Sequence, residues 1–301
     1  IGQDGLSYAP VTDQSLAQSR ADFKGINGDP PGLTWNWRSV GEFLDRFDRR
    51  TAVNAAMLAP HDNLRSAVAG MDDRPVSLSE LACMERLLER SLDDGAFGLS
   101  TGLTYAPCSY GDAKELTALC RIAGRRGGFF APHLRSYGAD MEAAVDEAIG
   151  VCAEANCPLH LTHFQAPFST GRGKAGYYLD RIRRARDEGV EITLDAYPYL
   201  AGSTFLAGLL PGWVHAGGRA CLLERLADPQ TRARIRHEIE VVGADGMHKV
   251  PVDWSTVVVS DVGAAAHADW IGQSLDQVAR ATGQAAFDCY ADLILQSDLA
   301  A

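Results

Sequence analysis

Helical and strand patterns alternate along the chain from about residue 80 onward, and this alternation restricts the possible folds more than any other feature. Apolar residues recur at helical spacing in four segments, 77–95, 111–128, 138–157 and 176–190. Short apolar runs predict six strands, near 53–60, 96–101, 128–133, 158–163, 190–195 and 255–260. Repeated βα units whose strands are apolar on both faces predict a parallel sheet covered by helices.

Polar residues stand at the carboxyl ends of four successive predicted strands: Ser100-Thr101, His133, His163 and Asp195. Active-site residues of (β/α)8 barrels come from these strand ends. An open doubly wound sheet also binds ligands there, but neither GxGxxG nor GxxxxGK[ST] comes directly after any of these strands. The predicted fold class is therefore α/β, with a (β/α)8 TIM-type barrel.

Six strands are fewer than the eight of a closed barrel, so residues 1–301 are predicted to form a partial barrel. The long interval after Asp195 contains GSTFLAGLLPGWVHAGG and a charged helical segment, DPQTRARIRHEIE. Loops at the C-terminal face of a barrel carry specificity. We therefore predict that residues 202–250 are a helical insertion, or lid, over that face.

The composition disfavours several classes of partner. The formal net charge of −11 argues against nucleic acid. No apolar run approaches the ~18 residues of a membrane span, so no membrane partner is expected. The seven cysteines form no CxxC pair and fit small core residues in a reducing compartment. The expected location is therefore cytoplasmic.

His133 and His163 are the main candidates for a metal site. They lie thirty residues apart, close to the length of one βα unit, and each ends its predicted strand, FFAPH or LHLTH. Adjacent strands lie roughly 4.8 Å apart, so the two imidazoles are predicted to share one metal ion, such as zinc. His160 has the opposite parity on its strand, and we expect it to face the surrounding helices.

Other side chains near the strand ends have more than one interpretation. Asp195 is a metal ligand, a partner of a histidine, or a carboxylate that faces the helices. Arg135 has the fork-shaped donor set that suits a substrate carboxylate, but a salt bridge between strands explains it equally well. Tyr105 and Tyr197 follow strand ends, where a phenol can donate a hydrogen bond to a reacting oxygen.

Four motifs in this order resemble the D-aminoacylase (N-acyl-D-amino-acid deacylase) branch of the amidohydrolase superfamily. They are GAFGLSTGLTYAP at 95–107, APHLRS at 131–136, LHLTHF at 159–164 and LDAYPYLAGSTFLAGLLPGW at 194–213. The resemblance implies a metal-bearing (β/α)8 barrel with one or two Zn²⁺ ions as cofactor. It also implies hydrolysis of the amide bond of a small-molecule partner, an N-acyl-D-amino acid.

The resemblance assigns roles to individual residues. It makes His133 and His163 zinc ligands. Tyr197 and Ser203 match a region that lines the substrate site, where Tyr197 is expected to stabilise an oxyanion. Arg135 belongs to the shared motif and is expected to hold a carboxylate; Tyr105 completes the predicted substrate-binding set.

The chain departs from the family pattern in the segments that the family uses for the first and last barrel strands. Family members carry an HxH pair on the first strand, and no HxH occurs in these 301 residues. Their general acid/base aspartate lies on the last strand, so the catalytic aspartate is expected beyond Ala301. Together with the six strands, this predicts an internal portion of a longer protein that has no deacylase activity by itself.

Two further departures concern ligand chemistry. In the GQDG motif, Asp4 stands where the best-known members have a metal-bridging cysteine in a GNCG-like motif. A carboxylate also ligates zinc, so Asp4 is the third predicted metal ligand. Gln165 stands where the family often has a lysine two residues after the second histidine, which would be a natural partner for a substrate carboxylate.

Two alternative functions stay open at this point. A cyclic amidase of the hydantoinase or dihydroorotase type is disfavoured because no predicted strand ends in a lysine that a carboxylated bridge between two metals would use. A non-catalytic barrel relative that binds a small ligand would contain no zinc. Metal content and a substrate panel distinguish these alternatives from the deacylase.

Overall fold

The computed structural model describes residues 3–22, 24–28, 30–262, 265–297 and 299. Its sheet contains β1 (Ala59–Pro60), β2 (Gly98–Gly102), β3 (Phe129–His133), β4 (Leu159–Leu161) and β5 (Ile192–Leu194). The α-helices of these residues are α1 (Asp13–Asp22), α2 (Lys24–Asn27), α3 (Val40–Leu44), α4 (His61–Ala69), α5 (Leu78–Asp93), α6 (Ala113–Arg125), α7 (Met141–Ala155), α8 (Ala175–Asp187), α9 (Gly212–His215), α10 (Arg219–Ala227), α11 (Pro229–His237), α12 (Leu275–Thr282) and α13 (Ala286–Ser297). None of these helices has both the length and the apolar character required to span a membrane.

The sheet is parallel, and its five strands stand in sequence order. Gly102 of β2 lies opposite His133 of β3, and Leu161 of β4 lies opposite Leu194 of β5. At least one helix connects each pair of neighbouring strands, so all the carboxyl ends meet at one edge. The predicted parallel α/β architecture is confirmed, with five of the six predicted strands present.

Two compact units divide the chain, and the first comprises residues 1–16 and 35–198. Its core joins the sheet to the helices that cover it. Leu99, Phe130, Leu159 and Ile192 of the strands belong to the same buried cluster as Leu119 of α6. This cluster fixes the helix-facing side of the sheet and leaves the strand ends and their loops to carry polar groups.

Capping residues determine where the covering helices begin. Ser77 accepts a hydrogen bond from the Glu80 backbone N–H and forms a capping box at the start of α5. Asp112 caps α6 by accepting from the Glu115 backbone N–H at 2.9 Å. An N-cap of this kind contributes about 1 kcal/mol to stability. The four helices predicted between residues 77 and 190 are confirmed as α5 to α8; each ends earlier than predicted, and α8 begins one residue earlier.

The second unit comprises residues 17–34 and 199–301 and has a separate hydrophobic cluster. Leu222 of α10, Ile235 of α11 and Tyr290 of α13 are buried in it. The predicted insertion, residues 202–250, supplies α9, α10 and α11 to this unit. Its position over the C-terminal face of a barrel stays a prediction, as do the predicted domain limits.

The strand predicted at 255–260 is wrong. In this segment Val258 forms an isolated antiparallel bridge with Ser274, and no ladder extends from it. Val259 is buried in the cluster of the second unit, whereas Val258 is 55% exposed. This short apolar run is therefore a loop that buries alternate side chains. Apolar character alone does not distinguish such a loop from a strand.

Candidate metal centre

Three side chains from separate parts of the first unit converge on one point. His133 ends β3, His163 follows the last residue of β4 by two positions, and Asp4 lies in the short helical turn Gln3–Gly5. His163 Nε2 is 3.1 Å from Asp4 Oδ1 and 3.1 Å from His133 Nδ1. One ligand atom of each residue lies within 4.8 Å of the other two. The structure thus brings together all three predicted metal ligands.

A left-handed turn brings His163 to this point. Strand β4 ends at Leu161, and His163 has a φ of 38°, a costly conformation for a residue other than glycine. Its backbone N–H donates to Asp195 Oδ1, and the Phe164 N–H donates to the Asp195 carbonyl oxygen at 2.7 Å. Asp195 is therefore the partner of a histidine, which is one of its three predicted roles.

The prediction that His160 faces the helices is wrong. The two leucines beside it on β4 are buried in the core that the sheet shares with the helices. Strand alternation therefore places His160 on the opposite face. Its imidazole is hydrogen-bonded to Thr193 Oγ1 at 2.8 Å and to Asp195 Oδ2 at 2.9 Å. Asp195 links His160 to the backbone of His163.

The turn that carries Asp4 lies directly against the end of β2. The Gly5 N–H donates to Ser100 Oγ at 3.2 Å. A Cβ atom added to Gly102 would lie 2.2 Å from the Asp4 carbonyl oxygen, and one added to Gly5 would lie 2.5 Å from the Gly102 nitrogen. The two backbones approach this closely because neither glycine has a side chain. Asp4 itself has a φ of 56°.

Gly102→Ala is expected to displace Asp4 from the two histidines, because the added Cβ overlaps the backbone of the Asp4 turn. We expect the free energy of unfolding to fall by about 1–3 kcal/mol and the zinc affinity of the chain to fall with it. Chemical denaturation and zinc titration measure the two effects. Gly150→Ala in α7, where an added Cβ meets no atom within 4 Å, is the matched control. Unchanged zinc affinity in the Gly102 variant would contradict the role given to this contact.

Burial and charge act in opposite directions on the cluster. Burial raises the pKa of Asp4, but the hydrogen bond from His163 and the charges of both imidazoles outweigh it and hold this pKa below its ordinary value. Burial lowers the pKa of His163, but the contact with Asp4 and the charge of Asp195 outweigh it and raise this pKa. Asp4 is therefore a carboxylate near neutral pH, able to offset the charge of a bound cation.

Three tyrosines surround the two imidazoles. The ring centroid of Tyr105 is 5.0 Å from that of His133, and the ring centroid of Tyr197 is 6.1 Å from that of His163. Both tyrosines were predicted site residues, and their contact with substrate stays a prediction. Tyr137 was not predicted. Its ring centroid lies 5.0 Å from that of His133, and its hydroxyl lies 3.0 Å from His163 Nδ1.

Arg135 is engaged by groups of the first unit. Its guanidinium pairs with Glu147 of α7, with Nη2 2.9 Å from Oε1. It also donates to the carbonyl oxygens of Ser109 at 2.8 Å and Gly111 at 2.9 Å. These contacts hold the loop that carries Tyr105. Arg135 does form an ion pair, but the prediction of a salt bridge between strands is wrong because Glu147 lies on a helix. A contact between Arg135 and a substrate carboxylate stays a prediction.

The remaining predicted site residues lie in two places. Gln165 donates a hydrogen bond from Nε2 to the Tyr197 hydroxyl, so a neutral pair stands beside His163. Ser203 is exposed and belongs to the second unit. The contact of Ser203 with substrate stays a prediction.

A buried charged cluster lies in the first unit and was also not predicted. His61, Arg65 and Glu115 have side-chain exposures of 0%, 0% and 2%. His61 Nε2 is 2.6 Å from Glu115 Oε1, and Arg65 donates to the other carboxylate oxygen. His61 Nδ1 is 2.8 Å from Thr101 Oγ1. His61 follows β1 in the tripeptide APH, as His133 completes β3 in a second APH, and this repetition was the available signal.

The stability of the chain is expected to fall as pH rises because of His61. Burial lowers the pKa of His61, but interactions with Cys108 and Glu115 outweigh it and raise the pKa to about 9. A folded-state pKa above the unfolded value of about 6.5 means that protonated His61 stabilises the fold fully below about pH 6.5. The contribution, about 3.5 kcal/mol at 1.4 kcal/mol per pH unit, is lost as pH rises through 9.

Urea denaturation of the wild type and of His61→Gln at about pH 6 and about pH 10 measures this contribution. The stability difference between the two proteins should be large at the lower pH and small at the higher one. A difference that does not change with pH would show that His61 is neutral in the folded chain.

No family model matches the chain, whereas three curated relatives from Alcaligenes xylosoxydans xylosoxydans do. An N-acyl-D-glutamate deacylase is 39% identical over 207 residues, which cover 68% of this chain and 41% of that protein. A D-aminoacylase is 33% identical over 215 residues, and an N-acyl-D-aspartate deacylase is 32% identical over 207, with similar coverage. The matched part of the chain is thus similar in sequence to deacylases of the D-aminoacylase branch of the amidohydrolases.

Solved structures agree with this assignment. The N-acyl-D-glutamate deacylase of Bordetella bronchiseptica, complexed with zinc and a phosphonate mimic of the tetrahedral intermediate, is 26% identical, with a TM-score of 0.74. The match covers 97% of this chain and 52% of that chain. A D-aminoacylase studied for its binuclear metal centre is 23% identical and shares the fold, with a TM-score of 0.69. The chain therefore spans about half the length, or less, of the relatives it matches.

The donor set of the cluster fits zinc. Imidazole nitrogens and carboxylate oxygens are ligand types that zinc takes, and three protein ligands are the usual number in catalytic zinc sites. Asp4, His133 and His163 supply that number from atoms that lie close enough together for one ion. The prediction was one or two zinc ions, and these three residues supply ligands for one ion.

Proposed function

We propose that the whole protein is a zinc-dependent hydrolase that cleaves the amide bond of N-acyl-D-amino acids. The observation that carries this proposal is the convergence of Asp4, His133 and His163 at the carboxyl edge of the parallel sheet. Similarity to N-acyl-D-amino-acid deacylases of the D-aminoacylase branch supports the reaction class and the small-molecule substrate.

Each part of the cluster has a role in this chemistry. Asp4, His133 and His163 would hold the zinc ion, and the Asp4 carboxylate offsets its charge. A zinc ion held there supplies a Lewis acid for the amide carbonyl and makes water acidic enough to act near neutral pH. Tyr105 and Tyr197 stand beside the imidazoles, and Gln165 orients the Tyr197 phenol, which we propose stabilises the oxyanion. The proton-transferring aspartate is proposed to lie beyond Ala301.

The neutral pair of Gln165 and Tyr197 bears on the choice of substrate. A lysine at the position of Gln165 would attract a substrate carboxylate to this side of the cluster, and the amide of glutamine does not. The proposed substrate is therefore the class of N-acyl-D-amino acids, and no single acyl group or amino acid is proposed.

We also propose a cytoplasmic location for the protein, which the free state of all seven cysteines supports.

Two measurements test the proposed function. The purified chain, dialysed after exposure to zinc, is expected to retain the metal, whereas a non-catalytic relative would retain none. The full-length protein is then assayed with N-acetyl-D-amino acids, their L enantiomers and hydantoins. Amine release from the D enantiomers is expected, with none from the 301-residue chain alone. Opening of hydantoin rings without deacylation would assign the protein to the cyclic amidases instead.

A further inference from the structure

The phenol of Tyr137 occupies a position that the proposed metal chemistry has not yet used. Tyr137 follows β3 by four residues, is 4% exposed and packs its ring edge-on against His133. Its hydroxyl lies 3.0 Å from His163 Nδ1, on the side of that imidazole away from Asp4 and His133. A single buried hydroxyl therefore touches the one ring nitrogen of His163 that does not face the metal position.

The other contacts of the phenol restrict the direction of this hydrogen bond. A tyrosine hydroxyl has one proton to donate and lone pairs with which to accept. The Leu134 backbone N–H donates to the Tyr137 oxygen at 2.9 Å. The carbonyl oxygen of Thr162, which accepts only, lies 3.4 Å from the same hydroxyl. When Tyr137 donates its proton to Thr162, its remaining lone pair accepts the Nδ1–H of His163, and all three neighbours are satisfied.

We propose that Tyr137 is a positioning residue, which accepts the Nδ1–H of His163 and thereby keeps Nε2 directed at the metal position. Asp4 Oδ1 and His133 Nδ1 each lie 3.1 Å from that Nε2 atom. The hydrogen bond made by one ring nitrogen determines which nitrogen a metal takes. This inference rests on the proposed zinc site, but it concerns a side chain outside the cluster of three candidate ligands.

Tyr137→Phe is the appropriate variant because it keeps the ring that packs on His133 and removes the hydroxyl alone. We expect the zinc dissociation constant of the chain to rise about 10–100-fold, the usual effect of removing such an outer partner. Competition against a chromophoric chelator measures it. Tyr178→Phe is the matched control: Tyr178 is 3% exposed and packs on Phe164, and its variant should bind zinc as the wild type does.

A second readout follows the proton itself. Nitrogen-15 NMR of histidine-labelled chain, with the His163 signals assigned from His163→Gln, distinguishes Nδ1–H from Nε2–H. In metal-free wild type below about pH 6, where an imidazole carries both protons, the Nδ1–H signal is expected to be sharp because this proton is hydrogen-bonded to the buried Tyr137. In Tyr137→Phe the signal is expected to broaden through exchange with water, whereas Tyr178→Phe should leave it unchanged.

The outcomes separate the inference from the proposed function. If the wild type binds no zinc, the proposed function fails, and the metal-free spectra still decide the role of Tyr137. If the wild type binds zinc and Tyr137→Phe binds it equally tightly, the positioning role is overturned. An Nδ1–H signal of His163 that is the same in the wild type and in Tyr137→Phe overturns it as well.

Discussion

Replacing Glu115 with glutamine is expected to reduce the free energy of unfolding by about 3–5 kcal/mol, the usual cost of removing one partner from a buried ion pair. Glu115 lies between His61 and Arg65, and all three side chains are at most 2% exposed. Burial raises the pKa of Glu115, but His61 and Arg65 outweigh it and lower the pKa, so the carboxylate is charged. Without that charge, two buried cations lose their counter-ion.

Chemical denaturation at near-neutral pH measures the loss. Glu142→Gln is the matched control, since Glu142 is 56% exposed and pairs with Arg181 on the surface of the same unit. A surface pair of this kind contributes at most about 1 kcal/mol. If the Glu115 variant lost no more stability than the Glu142 variant, the buried cluster would not have the charges given to it here.

The regular part of the first unit was predictable because its signals are local. Amphipathic spacing predicts a helix within 111–128, and the structure has Ala113–Arg125; apolar runs bounded by glycine or polar residues predict β2 to β5. The parallel order then follows from the repeated βα unit. The failure at 255–260 has the same origin, because six residues of apolar character carry no information on whether a pairing strand exists.

The metal site was predictable in part because two of its members end consecutive strands. His133 and His163 converge as the βα repeat requires, but alternation misplaced His160, since His163 lies beyond the end of β4 in a turn that alternation does not describe. Asp4 was assigned from the family resemblance. Its contact with the end of β2 depends on the close approach of two glycine-bearing backbones, which no local pattern shows.

Tyr137 and Glu115 illustrate the part that sequence patterns do not show. Tyr137 stands in an irregular loop, where spacing does not predict the direction of a side chain. Glu115 lies in the first turn of α6, a position that a helix dipole favours for any acidic residue, so its burial against His61 and Arg65 has no separate signal. Pairings of this kind depend on how the helices and strands pack against one another, which the residue pattern of a single sequence does not determine.

His163→Ala and His133→Ala are each expected to weaken zinc binding by the chain more than the roughly 100-fold that loss of an outer partner costs at most. Each substitution removes one of three ligands and leaves an imidazole and the Asp4 carboxylate, fewer than the three protein ligands that are usual in a catalytic zinc site. Zinc content after dialysis and titration against a chelator give the affinities.

His160→Ala is the matched control for these two variants. His160 lies on the same strand segment as His163 and is hydrogen-bonded to Asp195, but it contributes no atom to the three-residue cluster. We expect the His160→Ala variant to keep most of the zinc affinity. Any loss of affinity measures how much the hydrogen bond between Asp195 and the His163 backbone contributes to zinc binding. If His160→Ala lost zinc while His163→Ala kept it, the metal position would lie on the exposed face of β4 and β5, and the role of Asp4 would be refuted with it.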